Sequence, residues 1–259
     1  MNKPFLFLLL SVGLFQACKT EKTESVVVPD IPYSVHSTLP HDIQAFTQGL
    51  VIHDGQLYES TGMEGTSWIG VVDVTTGVAE RKVTLPDRFF GEGITILNDK
   101  VYQLTWKSRI GFVYDLRTFN QVGTFSYDGE GWGLAHDGRN IIMSNGTSRL
   151  TFLDTVSLKP VRTLEVTDAN GPVPYLNELE VVDSVLYANI WQTRKIARID
   201  LSNGRVTGYM DISIINDQAL SRNPQADVLN GIAWHPGTGS MLVTGKYWPN
   251  IFVLKLKSE

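Results

Sequence analysis

Cysteine occurs once in the 259 residues, at Cys18. No internal disulfide can form, and no set of thiols remains to hold zinc. Basic residues are in deficit, 22 Lys and Arg against 27 Asp and Glu for a net charge of −5. No basic stripe exists to meet phosphates, so nucleic acid is not expected as a partner. The longest apolar run, Phe5 to Phe15, is too short for an ordinary membrane-spanning helix. No window of ten or more residues sustains a 3.6-residue apolar period, and Ile212 to Leu229 is the one candidate for a helical or loop insertion. The five histidines, His36, His41, His53, His136 and His235, have no metal-ligand spacing. A Gly-x-Ser-x-Gly elbow and a phosphate-cradling glycine loop are also missing.

The chain opens on a targeting segment: Lys3, then the apolar run, then Ala17-Cys18-Lys19. A lone Cys after Ala at the end of an apolar signal resembles a bacterial lipoprotein signal peptide, although Phe15 and Gln16 depart from the usual aliphatic and small residues. That resemblance implies a lipidated Cys18, removal of the segment before it, and an exported protein facing the periplasm or the cell envelope; an ordinary cleaved signal peptide is the competing reading. Acyl chains anchor a domain without spanning the membrane. Residues 19–30 are polar and read as a flexible tether, and residues 31–259 as one folded domain.

Within that domain a phrase recurs at spacings of roughly 40–50 residues, the period of propellers and solenoids. Its copies are Phe46-Thr47-Gln48-Gly49-Leu50, Phe90-Gly91-Glu92-Gly93-Ile94, Gly131-Trp132-Gly133-Leu134, Leu176-Asn177-Glu178-Leu179-Glu180 and Leu229-Asn230-Gly231-Ile232-Ala233. Each opens an apolar strand that ends in a turn such as Asp54-Gly55, Asn98-Asp99 or Asp137-Gly138. A second strand follows, then a third: Ile69 to Val74, Ile110 to Leu116, Leu150 to Asp154, Ile196 to Leu201 and Ile251 to Leu256. Units one to four add a fourth strand, while the chain ends before unit five can. The segment Pro32 to Pro40 resembles those fourth strands and precedes the first phrase. The expectation is an all-β, five-bladed β-propeller whose last blade is closed by the N-terminal strand. A solenoid would need polar caps, which are not seen; a β-sandwich or two small barrels is the competing pattern.

Residues at the start of a propeller's inner strands meet at one mouth. The phrases thus bring together Gln48, Glu92, Trp132, Asn177 and Asn230, and the second strands add Trp106, Trp191 and Lys246. Trp68, Trp234 and Trp248 go to packing or rim. Glu92 lies between two glycines at the start of a buried strand, where a charge needs a partner or a task. Its pKa should be raised unless Lys246 lies close enough to hold it ionised. The only further acids the phrases offer are Glu178 and Glu180.

With Leu104-Thr105-Trp106, Asn189-Ile190-Trp191 and Thr244-Gly245-Lys246 added to the five phrases, nearly all of the mature chain resembles the plant and bacterial type of glutaminyl-peptide cyclotransferase. The resemblance implies a five-bladed propeller, unrelated to the zinc-dependent animal enzymes, that converts N-terminal glutamine of peptides or proteins to pyroglutamate with release of ammonia. The family's active-site residues match Phe46, Gln48, Phe90, Glu92, Trp106, Trp132, Asn177, Trp191 and Lys246, with Glu92 and Lys246 in catalytic roles and the rest binding substrate. No cofactor is required on this reading, and a structural divalent cation in the channel stays open. A monomer is expected. Two other readings compete: a non-catalytic, lipid-anchored propeller that binds a ligand, and a metal-dependent lactonase-like hydrolase with ligands on the channel axis.

Overall fold

A computed structural model describes residues 28–257; the signal segment and Cys18 lie outside them. Twenty strands form five four-stranded antiparallel sheets arranged as a five-bladed β-propeller. The inner strands of blades one to five are Thr47–His53, Gly91–Leu97, Leu134–His136, Leu176–Val182 and Leu229–His235. In blades one to four the chain runs outward through the sheet, ending on Ala79–Thr84, Gln121–Ser126, Pro160–Glu165 and Val206–Asp211. The outermost strand of blade five is Tyr33–Pro40, paired antiparallel with Asn250–Leu256 from Tyr33 opposite Leu256 to Pro40 opposite Asn250. The first strand therefore closes the ring, as its likeness to the other fourth strands implies.

Burial falls from axis to rim. The inner strand Gly91–Leu97 is buried at all but its last residue, while Ala79–Thr84 on the rim is mostly exposed. Inner strands therefore read as apolar runs and outer strands as polar ones. The apolar core is divided into five clusters, each between neighbouring blades. One example packs Leu104 and Tyr102 of blade two on Leu134 and Ile141 of blade three. The hairpin turns at the far end from the phrases are those the sequence marks. Asp54 and Gly55, and likewise Asn98 and Asn98's neighbour Asp99, take the paired left-handed conformations of a type I′ turn. Aspartates open the turns between third and fourth strands, as where Asp73 accepts the Thr75 N–H at 2.7 Å.

Two insertions stand on the face that carries the phrases. One is a small hairpin, Thr167–Asp168 with Gly171–Pro172, which the strand pattern does not announce. The other is a helix, Ser213–Arg222, inside the segment marked as helix or loop. Only Ile215, Asn216 and Ala219 of that helix are buried, too few for a sustained apolar period. Pro29 and Asp30, placed by sequence in the tether, already run along the edge of blade four, where Tyr209 donates its N–H to the Pro29 carbonyl at 3.0 Å.

At the axis the blades touch backbone to backbone. A Cβ built on Gly93 would lie 2.6 Å from the Gly133 Cα, so a side chain there would push blades two and three apart. Glycine after the pocket residue is thus a packing requirement as well as a turn.

Candidate active site

The pocket residues sit where the inner strands break register. Pairing with the second strand shifts between Thr47 and Gly49, Gly91 and Ile94, Leu176 and Leu179, and Leu229 and Ile232. Each shift frees the residue it contains from the alternation of the sheet: Gln48, Glu92, Asn177 and Asn230. Bulges are a common means of re-aiming a side chain beside a functional site. The freed backbone is held from the preceding blade. Ser60 donates to the Glu92 carbonyl at 2.6 Å and Ser144 to the Asn177 carbonyl at 2.7 Å. Ser60 is held in turn by Gln103, and Gln103 by the Tyr114 hydroxyl. This buried chain of neutral donors ties the position of Glu92 to the middle of blade two.

The result is one cavity of about 340 Å³ at the mouth of the ring. It brings together all nine residues named for the site: Phe46, Gln48, Phe90, Glu92, Trp106, Trp132, Asn177, Trp191 and Lys246. Its walls are aromatic. Phe90 meets Phe46 edge-on at 5.9 Å between centroids and Trp106 at 5.5 Å, and Trp132 meets Trp191 edge-on at 5.4 Å. The polar groups lie at the floor, where Glu92, Lys246, Gln48 and Asn177 are each no more than 5% exposed.

Burial dominates the electrostatics. It raises the Glu92 pKa well above the ordinary carboxyl value; Lys246 opposes the rise and Glu130 adds to it. Burial likewise lowers the Lys246 pKa, against the pull of Glu92 and Asp227. Lys246 therefore does not hold Glu92 at an ordinary acidity. Burial thus disfavours the charged form of both groups, and it makes Glu92 a stronger base than an ordinary carboxylate. The Lys246 ammonium sits 4.3 Å from the Phe46 ring centroid, a cation–π contact that keeps it at the floor.

The two amides differ in what they offer. Gln48 accepts a hydrogen bond on Oε1 from Asn230 Nδ2 at 3.0 Å, so its own Nε2 donor is the group left to face the cavity. Asn177 Oδ1 is buried without a partner, an acceptor in need of an N–H. Asn230 itself does not line the cavity, contrary to the sequence expectation. It is fully buried, bonded to Gln48 and to the Thr47 carbonyl. Glu178 and Glu180 are likewise not free acids. Glu178 accepts the N–H groups of Leu50 and Ile232, and Glu180 that of Trp234. Trp248 is wholly buried, while Trp68 and Trp234 are partly so. Among the described residues, no three His, Cys, Asp or Glu side chains gather as a metal-ligand set.

Sequence reasoning missed Gln192, Asp227 and Val228, which line the cavity from the loops. These loops carry no repeat, so no signal marked them. It also missed Glu130, whose carboxylate accepts the indole N–H groups of Trp106 and Trp132. A signal was present there: Gly129-Glu130-Gly131 has the same form as Gly91-Glu92-Gly93.

Fold and site together define a five-bladed propeller with an aromatic pocket around a buried acid, a lysine and two amides. The family model for glutamine cyclotransferase matches residues 8–256, and the chain belongs to that family. A glutaminyl-peptide cyclotransferase of Arabidopsis thaliana is 40% identical over 227 residues, covering 86% of this chain and 71% of the plant protein. The crystal structure of Myxococcus xanthus glutaminyl cyclase superposes with a TM-score of 0.81 at 34% identity, covering 87% of this chain and 96% of that one.

Proposed function

We propose that this chain is a glutaminyl-peptide cyclotransferase in which Glu92 carries protons between the two nitrogens of the substrate. The observation that supports this most is a single deeply buried carboxyl of raised pKa at the floor of an apolar pocket, flanked by an amide donor and an amide acceptor.

The substrate brings its own nucleophile and electrophile. Its α-amine attacks the γ-carboxamide carbon, and a C–N bond forms as a five-membered ring closes. The pocket need only hold the chain folded, a gain in effective concentration rather than new chemistry. A free N-terminal amine has a pKa of about 7.7–8.0 and is largely protonated at neutral pH. Its nitrogen must lose two protons on the way to the lactam. One passes through Glu92 to the departing NH₂ group, which leaves as ammonia as its C–N bond breaks; the other goes to water. The raised pKa suits both halves of this task, because a strong acid would hold the first proton too weakly to be an effective base.

Gln48 Nε2 donates to the carboxamide oxygen as negative charge develops on it, and Asn177 Oδ1 accepts from a substrate N–H. Lys246 tunes Glu92. The aromatic walls exclude water and enclose the glutaminyl chain, with room left at the mouth for the peptide that follows. On the same reading the protein works as a monomer without a required cofactor. A lipid on Cys18 anchors it in the cell envelope or facing the periplasm, so that exported peptides and proteins are its substrates.

The test is ammonia release from a short Gln-initiated peptide, with the matching mass loss. Wild type turns over, and Glu92→Gln loses about 10²–10⁴-fold in kcat while remaining folded. Near-full activity of Glu92→Gln would sink the shuttle, and a folded wild type inert toward every Gln-initiated peptide would sink the cyclotransferase reading.

A further inference from the structure

We infer that Glu130 is a positioning residue of the site, its carboxylate locking Trp106 and Trp132 into the wall of the pocket. One oxygen of Glu130 accepts both indole N–H groups, from Trp106 Nε1 at 2.7 Å and from Trp132 Nε1 at 3.0 Å. The two tryptophans come from different blades. Trp106 follows the second strand of blade two, and Trp132 precedes the inner strand of blade three. Backbone bonds bring the two segments together, as where Gly131 donates to the Trp106 carbonyl at 3.0 Å. They leave the rotation of each indole open.

An indole offers one donor and no acceptor, so a single well-placed acceptor fixes its plane. Bonds to a carboxylate are shorter and stronger than neutral ones. Through Trp132 the constraint passes to Trp191, and through Trp106 to Phe90. Four of the five aromatic walls of the pocket, Phe90, Trp106, Trp132 and Trp191, thus depend on one carboxyl. The flanking glycine is explained as well: a Cβ on Gly131 would lie 2.7 Å from the Tyr127 hydroxyl.

The position of Glu130 gives it a second effect. Its negative charge acts on Glu92, opposite in sign to Lys246. The other groups facing this cluster are Asp227 beside Lys246, the Tyr127 hydroxyl beside Glu92, and Lys107, whose ammonium lies 3.8 Å from the Trp106 ring centroid.

Two variants separate the roles. Glu130→Gln keeps a carbonyl with two lone pairs for the indoles and removes the charge. Glu130→Ala removes both. The first readout needs no turnover: hydrogen exchange of the Trp106 and Trp132 indole N–H groups, followed by NMR on ¹⁵N-Trp protein with assignments from Trp106→Phe and Trp132→Phe. Glu130→Ala speeds exchange at both indoles and Glu130→Gln does not; exchange unchanged in Glu130→Ala overturns the proposal.

The second readout rests on the cyclotransferase reading. In Glu130→Ala kcat/KM falls about 10- to 100-fold, the scale set by misplacing a pocket wall. In Glu130→Gln the fall is less than about tenfold and the acid limb of the pH profile moves to lower pH, because a like charge beside Glu92 is gone. Equal losses in both variants with an unmoved profile would reduce Glu130 to a scaffold residue and overturn the proposal. An inert wild type would count against the cyclotransferase reading alone, and the indole exchange would still decide the role of Glu130.

Discussion

Lys246→Met isolates the balance between burial and charge at the floor of the pocket. Methionine keeps an apolar stem against Phe46 and removes the ammonium, so Glu92 stays buried and loses its one opposing charge. The Lys246 charge opposes the rise that burial imposes on the Glu92 pKa, so its loss raises that pKa further. Glu92 must be ionised to accept the first proton. The sign follows: kcat/KM falls as pH drops through the Glu92 pKa, and the variant begins to fall at higher pH than wild type. At a fixed pH below the new limb each unit costs tenfold, about 1.4 kcal/mol. The substrate amine titrates identically with every variant, so a difference between variants belongs to the enzyme. The assay is the initial rate of ammonia release, well below KM, over about pH 5–9, with Lys246→Arg as the charge-retaining control. An acid limb that stays in place or moves down in Lys246→Met refutes the tuning role. A limb that stays while the plateau drops about 10²–10³-fold would instead assign Lys246 directly to the oxyanion.

Two further predictions concern groups away from the acid. Asn230→Leu removes the donor that fixes Gln48, so Gln48 is free to turn its carbonyl toward the substrate oxygen; kcat drops about 10²–10³-fold, and a double variant with Gln48→Ala loses little more than either single variant. Blocking lipidation by Cys18→Ala leaves turnover of a soluble peptide unchanged and moves the protein from the membrane fraction to the soluble one, read by fractionation and by the mass of the mature N-terminus.

The fold was legible because propeller blades repeat. Turn residues at Asp54-Gly55 and Asn98-Asp99 need left-handed backbone, and Gly93 needs a bare Cα, so chemistry marks them at a fixed period. The same period located the pocket, since Gln48, Glu92, Trp132 and Asn177 occupy equivalent places. It could not tell depth. Asn230 has the same place in its phrase as Gln48 and Glu92, yet it lies beneath the pocket and serves Gln48. Residues on loops without a repeat, Asp227 and Gln192 among them, carried no mark.

Glu178 shows what a repeat reveals where it fails. The residue after the pocket position is Gly49, Gly93, Gly133 and Gly231 in blades one, two, three and five, and Glu178 in blade four. Four glycines let the inner strands close on the axis, and five side chains of any size would hold them apart. One side chain can be admitted, and it must then satisfy a polar end that is fully buried. Glu178 does so by accepting the Ile232 N–H at 2.7 Å and the Leu50 N–H at 3.3 Å, one from each of blades five and one. Those are the blades that the closing strand joins at the rim. An acid in place of glycine on the axis is therefore better read as a tie across the ring closure than as a second catalytic carboxyl, and the chemistry rests on Glu92.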